Sequence, residues 1–227
     1  MLAYWTGRSE GDLSALGSAG GRLATDALQV RVRRTAGIPA DLAVYAMHQV
    51  HGSGVVIVEG GEGAGCLASA APEADALVAP RGGSCLVVLT ADCAPIALGS
   101  PEGVHGVVHA GWKGLLAGVV EKAVGAMREL GASEVFAALG PCVHACCYEF
   151  SSSDLDQAAL RLGGSVRGTT TGGEPAMDLP AGVREALRAS GARLAWEADA
   201  CTACSPEWFS YRASGDVQRQ ALLVWNG

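Results

Sequence analysis

The chain has 227 residues, 49% of them hydrophobic and 17% charged, a balance that excludes a disordered chain and favours a packed globular core. Its formal net charge is −7, and the local basic cluster Arg31, Arg33 and Arg34 is too small for the basic stripe of a duplex-binding protein, so no nucleic-acid partner is expected. Met1 to Gly20 lacks the basic start and apolar stretch of a signal peptide, and the longest apolar run, Leu86–Leu98, is broken by Asp92 and Pro95; no membrane partner is expected.

Met1 to Gly21 is rich in Gly and Ser and reads as loop. Arg22 to Gly37 has helical spacing and ends at Gly37, with Pro39 beyond. Leu42–Met47 and Val55–Glu59 are strand candidates around a turn at His48–Gly54, and Gly60–Pro72 reads as a surface loop. Asp75–Ala79, Ser84–Thr90, Pro95–Leu98 and Val104–His109 then follow as strands. Leu86-Val87-Val88-Leu89 is apolar on both faces, which predicts a central position in a covered sheet. Leu115–Leu130 carries the spacing of one helix. Val135–Leu139 is a strand, Ser151–Leu162 a helix with serine caps, and Pro180–Ser190 a helix with proline in its first turn. Arg193–Glu197 and Gln220–Trp225 complete the strands. Gly163–Gly173 is the best candidate boundary, but too little chain follows it for a separate core. The expectation is one α/β domain over residues 1–227, with a central mixed sheet covered by helices.

The eight cysteines are irregularly spaced in a long chain, unlike a small secreted disulfide framework. Reduced thiols and a cytoplasmic location are expected. Cys201-Thr202-Ala203-Cys204 has the spacing of half a zinc ribbon, with no second Cys-x-x-Cys to complete it; a redox or packed pair is the other reading. Cys142, Cys146 and Cys147 read as turn and core residues, with Cys147 also placed to line a site.

Three segments end strand candidates and present a metal-capable side chain: Gln49-Val50-His51-Gly52, Thr90-Ala91-Asp92-Cys93 and His109-Ala110-Gly111-Trp112-Lys113-Gly114. Strand ends are where ligand sites gather in α/β sheets. Two imidazoles and a thiolate suit zinc, and three protein ligands leave one position open, as in catalytic sites. Asp92 could orient a ligand or cap a turn. His48, His105 and His144 compete as donors; His48 and His105 are expected to point differently from their neighbours in extended strand. Gly-Trp-Lys-Gly before a helix offers backbone N–H groups and Lys113 to an anion, or is a plain glycine turn.

These three segments, together with Asp75-Ala76-Leu77-Val78, Gly140-Pro141 through Cys146-Cys147-Tyr148-Glu149, Cys201-Thr202 and Phe209-Ser210-Tyr211-Arg212, occur in the order seen in the YfiH/YlmD family, and from about Gln49 onward the chain resembles it. The family is also called the multicopper polyphenol oxidoreductase or laccase-domain family. The resemblance implies an α/β fold and a metal, zinc by default with copper as the other option, on His51, Cys93 and His109, which are then also the catalytic residues. It implies phosphorolysis of purine nucleosides (adenosine, inosine and methylthioadenosine), with adenosine deamination beside it. Substrate contacts would come from Arg8, Gln49, Asp92, Lys113, Gly114, Cys147 and Arg212, and the partners would be a purine nucleoside and phosphate. Lys113 stands where the family usually has Arg, which turns a bidentate phosphate fork into a point charge. Arg8-Ser9-Glu10-Gly11 matches the N-terminal family motif imperfectly, and the family's Asn-Arg pair has no clear counterpart around Leu28–Arg31.

The activities attached to such a family differ in what they require. Five histidines are too few for four-copper chemistry, although one His₂Cys set suits a lone copper and phenol oxidation. The His-x-Glu and Pro-Cys-x-x-Cys signature of nucleobase zinc deaminases is absent. An amidase acting on peptidoglycan precursors could use the same three residues. The non-enzymatic alternative is a structural zinc protein with four protein ligands.

Overall fold

The computed structural model describes residues 1–14, 30, 33, 34, 36–59 and 72–226. The helix expected over Arg22–Gly37, the loop expected over Gly60–Pro72, and with them Arg31 and Cys66, fall largely or wholly outside the described residues. The strands are β1 (Leu2–Trp5), β2 (Ala43–Tyr45), β3 (Val55–Ile57), β4 (Ala76–Ala79), β5 (Ser84–Thr90), β6 (Ala94–Gly99), β7 (His105–Ala110), β8 (Phe136–Leu139), β9 (Arg167–Thr169), β10 (Pro175–Met177), β11 (Arg193–Glu197) and β12 (Gln220–Trp225). The helices are α1 (Trp112–Leu116), α2 (Val119–Glu129), α3 (Ser152–Leu162), α4 (Leu179–Ser190) and α5 (Tyr211–Ser214).

The expected mixed sheet under helices is present as six strands in the order β11-β8-β6-β7-β4-β3, with parallel pairs at both edges and antiparallel pairs between. A second sheet, β1-β12-β5-β2, lies against its other face. The period-two alternation of strand side chains assigns each residue to a layer. In β5, Leu86 and Val88 join Leu77, Ala97, Val107, Leu222 and Val224 in the core between the sheets. Their neighbours Cys85, Val87 and Leu89 pack outward against Ile38 and Leu42. In β4 and β6, Ala76, Val78, Ile96 and Leu98 face the helices, against Val120, Val124 and Met127 of α2 and Val183 and Leu187 of α4. Both faces of β5 are therefore buried, which is why its sequence shows no polar alternation.

The helical spacing from Leu115 to Leu130 hides a break. Gly118 sits at φ +80°, in the left-handed region that glycine adopts without a side-chain clash, and divides α1 from α2. The break lets both Leu115 and Val119 reach the same core. α3 starts where the Ser151 hydroxyl accepts the Asp154 N–H at 3.1 Å, and α4 where Asp178 accepts the Ala181 N–H at 2.8 Å. The Gly163–Gly173 stretch contains β9, which pairs with β10 as an antiparallel hairpin, and Val166 and Met177 beside it enter the helix-covered core. Among the described residues, no helix is long and apolar enough to cross a membrane.

Candidate active site

Val107 belongs to the core between the sheets, and His109, two residues on in β7, continues that face to the strand end. The turn that carries the chain from β5 in one sheet to β6 in the other contains Asp92 and Cys93. The loop after β2 contributes His51. These three segments meet at one end of the inter-sheet layer, where donor atoms of His51, Cys93 and His109 lie within 4.8 Å of one another. The His51 and His109 rings stand edge to face with centroids 4.8 Å apart.

The group is held by a carboxylate. Asp75, fully buried just before β4, accepts the His109 Nδ1–H at 2.8 Å. That bond leaves the other ring nitrogen, Nε2, for Cys93, the orientation of carboxylate–histidine–metal arrangements. The same carboxylate accepts backbone N–H groups of Val50 (3.4 Å), His51 (3.0 Å) and Gly52 (2.6 Å). These bonds hold His51 at φ +58°, a left-handed conformation unusual for a residue with a Cβ. Burial pushes the Asp75 carboxyl up, but the bonds from His109 and Gly52 outweigh it and leave it below the ordinary carboxylate range. Burial also raises the Cys93 thiol, yet the charges and hydrogen bonds of His109 and His51 bring it down to about 6. Burial lowers His109, while the Cys93 sulfur and Asp75 carry it up to about 9. The sulfur is thus held as thiolate, the form that binds metals. A Cβ on Gly111 would stand 3.0 Å from His51 Cδ2 and 3.2 Å from Cys93 Sγ, so the bare glycine leaves the donors their room. Two imidazoles, a thiolate and an orienting carboxylate fit a single metal ion with an open position.

The three residues lie on the wall of a cavity of about 720 Å³. Gln49, Asp92, Lys113 and Arg212 line it too, as do Tyr148, Tyr211 and Arg219. The side chains differ in how free they are. Gln49 is spent on the backbone of Leu89, donating to its C=O at 2.7 Å and accepting its N–H at 2.8 Å. Asp92, at φ +90°, accepts the hydroxyls of Thr202 and Ser210, both at 2.7 Å, and the Arg212 N–H at 2.6 Å. It fastens the C-terminal segment to the turn carrying Cys93. Arg212 lies over the Tyr148 ring, 5.1 Å from its centroid, and Lys113 reaches over Trp112.

Three of the expected contact residues are placed elsewhere. Arg8 is paired with Asp216, donates to the Trp208 C=O at 2.9 Å and borders a separate hollow. Gly114 is buried behind the site; a Cβ there would meet the Gly52 carbonyl at 2.9 Å, so it lets α1 close on the His51 loop. Cys147 faces Cys204 at 3.3 Å. α1 has only five residues, so the anion site expected at its start has little helix behind it. His105 has the same strand phase as His109, being four residues away, contrary to the expected difference in direction. It is removed from the site by its distance along β7, about 13 Å at the usual strand rise, and is bonded to Ser84 and Asn226. Asp75 and Gly111 were not singled out as site residues from the sequence. The available signal was an aspartate opening a fully buried strand.

Two packed sheets under a helical layer, with an oriented His₂Cys set at a strand-end cavity, describe a mixed α/β protein with a candidate metal site. Residues 22–227 match the family described as multi-copper polyphenol oxidoreductase laccase, and the chain belongs to that family. It is 40% identical over 222 residues to a purine nucleoside phosphorylase of Streptomyces griseus, covering 95% of this chain and 87% of that protein. It is 35% identical to one from Mycobacterium bovis, covering 89% and 79%. Among solved structures, YlmD from Geobacillus stearothermophilus superposes with a TM-score of 0.77 at 28% identity, covering 91% of this chain and 81% of that one. A Neisseria meningitidis protein, NMB0706, does so with 0.78 at 26% identity, covering 98% and 93%. The multi-copper description does not fit the donors: of five histidines only two enter the group.

Proposed function

We propose that this protein is a cytoplasmic, single-domain, zinc-dependent purine nucleoside phosphorylase acting on adenosine, inosine and methylthioadenosine. The observation that carries the reading is the oriented His51–Cys93–His109 set on a cavity that also presents cationic and aromatic side chains. The names of the 35–40% identical relatives point the same way.

The volume of about 720 Å³ suits a nucleoside with phosphate beside it. Lys113 and Arg212 supply positive charge for phosphate, and Tyr148, Tyr211 and Trp112 offer ring faces for the purine. In the reaction a phosphate oxygen forms a bond to the ribose C1′ as the bond to the purine nitrogen breaks, and the departing base takes up a proton. The cations hold the nucleophile against C1′, which converts an encounter of two solutes into a positioned displacement. Asp75 keeps His109 in one tautomer and His51 in its left-handed bend, so the donors do not reorganise during turnover. Bound to His51, Cys93 and His109, zinc would supply Lewis-acid polarisation of a substrate oxygen; copper is admitted by the same donors.

The test is incubation of metal-loaded and chelated protein with each nucleoside, with and without phosphate. Phosphate-dependent release of free base and ribose 1-phosphate, lost on chelation, is expected. Absence of both products sinks the reading. Inosine formed from adenosine without phosphate would show deamination by the same site, and amino-acid release from a muropeptide alone would transfer the function to the amidase class.

A further inference from the structure

The Cys201-Thr202-Ala203-Cys204 turn finds its missing half in space rather than in another Cys-x-x-Cys. The adjacent pair Cys146-Cys147 lies in a short 3-10 turn, and one sulfur from each of Cys146, Cys147, Cys201 and Cys204 falls within 4.8 Å of all the others. Cys204 Sγ is 3.5 Å from Cys146 Sγ and 3.3 Å from Cys147 Sγ. A disulfide needs about 2.05 Å. Four sulfurs around a tetrahedral ion with metal–sulfur bonds of about 2.3 Å stand about 3.8 Å apart. The four free thiols thus sit near the spacing of a metal cage.

The surroundings are built to hold that cage. A bridge between Cys142 and Cys201, with the Thr202 N–H donating to the Cys142 C=O at 3.0 Å, pins the two loops just before the sulfurs converge. The His144 N–H donates to Cys201 Sγ at 3.4 Å, the backbone-to-sulfur bond that steadies a thiolate ligand. The Cys204 N–H closes the turn onto the Cys201 C=O at 3.2 Å, and the Thr171 N–H of the β9–β10 loop reaches the Cys146 C=O at 3.1 Å. Three segments distant in sequence therefore meet at one sulfur cluster, away from the cavity that carries His51, Cys93 and His109.

We propose that Cys146, Cys147, Cys201 and Cys204 bind one zinc ion as a closed structural site, separate from the His51–Cys93–His109 centre. Four thiolates exclude an open position and favour a soft tetrahedral ion. Binding releases the thiol protons and involves no oxidation. Its consequence is local rigidity: Thr202, inside the cage turn, donates to Asp92, which in turn holds Arg212 at the cavity wall.

The experiment is metal analysis of chain reconstituted with Zn²⁺ under reducing, anaerobic conditions and freed of unbound ion. Wild type is expected to hold two zinc ions, Cys204→Ser one, His109→Ala one and the double variant none. Cys204 is exposed, and a far-ultraviolet spectrum checks that its replacement leaves the fold intact. With Co²⁺ in place of zinc, sulfur-to-metal charge-transfer absorption should fall by most of its intensity in Cys204→Ser and only slightly in His109→Ala. A wild type holding one ion that His109→Ala abolishes entirely would overturn the proposal. So would a non-reduced intact mass lower by two or four hydrogens in zinc-free protein that then takes up no second ion after reduction.

Discussion

The two sulfur-containing clusters are built on different plans. At the His51–Cys93–His109 centre a fully buried aspartate orients the donors, the ligands come from strand ends and their turns, and one side opens on a cavity. At the cysteine cluster the donors come from loops closed by backbone hydrogen bonds, one backbone N–H, that of His144, reaches a sulfur, and the sulfurs face one another. The first plan uses backbone strain at His51 and a buried orienting carboxylate, Asp75; the four cysteines have no positive-φ residue among them and no carboxylate bonded to them. The contrast is the one expected between a site that presents a metal to a substrate, as proposed for the first, and one that holds loops together, as proposed for the second.

The largest effect should come from His109→Ala, expected to lower kcat/KM for phosphorolysis by at least ~100-fold, beyond the range of outer-shell changes. Cys204→Ser should leave that constant nearly unchanged while lowering Tm; equal losses in both variants would erase the distinction. Asp75→Asn should weaken zinc affinity about 10–100-fold, read by chelator competition. It should also cost about 1.5–3 kcal/mol in denaturant unfolding, because the His51 loop loses a charged acceptor. An unchanged affinity would show that the carboxylate only shapes the loop. Gly111→Ala, whose new methyl crowds His51 and Cys93, should reduce kcat about tenfold with little change in Tm. Thr202→Val removes one of the donors to Asp92 and should cost about 1 kcal/mol. If it also raises KM for phosphate, the cage turn and the cavity wall are linked through Asp92.

The sequence carried much of the layering but not its assignment. Ser84–Thr90 and Gln220–Trp225 were legible to the residue, because buried strands concentrate apolar residues between turn formers; Arg193–Glu197, a largely exposed edge strand, was equally legible between Gly191 and the Ala198–Ala200 segment. Alternation does not say which sheet a strand joins, so the four-stranded sheet was not distinguished from the six-stranded one. β1 was hidden in a glycine- and serine-rich segment because it is short and takes its stability from pairing with β12 at the far end of the chain. At the candidate site the sequence supplied donors without their orientation. His51, Cys93 and His109 stood out beside strand ends, whereas Asp75 acts across 34 residues on His109, a relation no local pattern records. The four-cysteine cluster was illegible for a similar reason: the complement of Cys201-Thr202-Ala203-Cys204 is not a second Cys-x-x-Cys but an adjacent pair 57 residues before Cys204, counted from Cys147.

The position of β12 has a consequence for synthesis. It lies between β1 and β5, so the strand made last among those described joins the one made first to one from the middle. During translation the six-stranded sheet can collect its strands while the face bearing His109 waits uncovered, since the smaller sheet closes only after β12 leaves the ribosome. Leu77, Ala97 and Val107 are then open to solvent or to a holding chaperone. Nascent chains stalled before Gln220 should be the aggregation-prone form of this protein, and the candidate metal centre should become competent only once β12 has been made and paired.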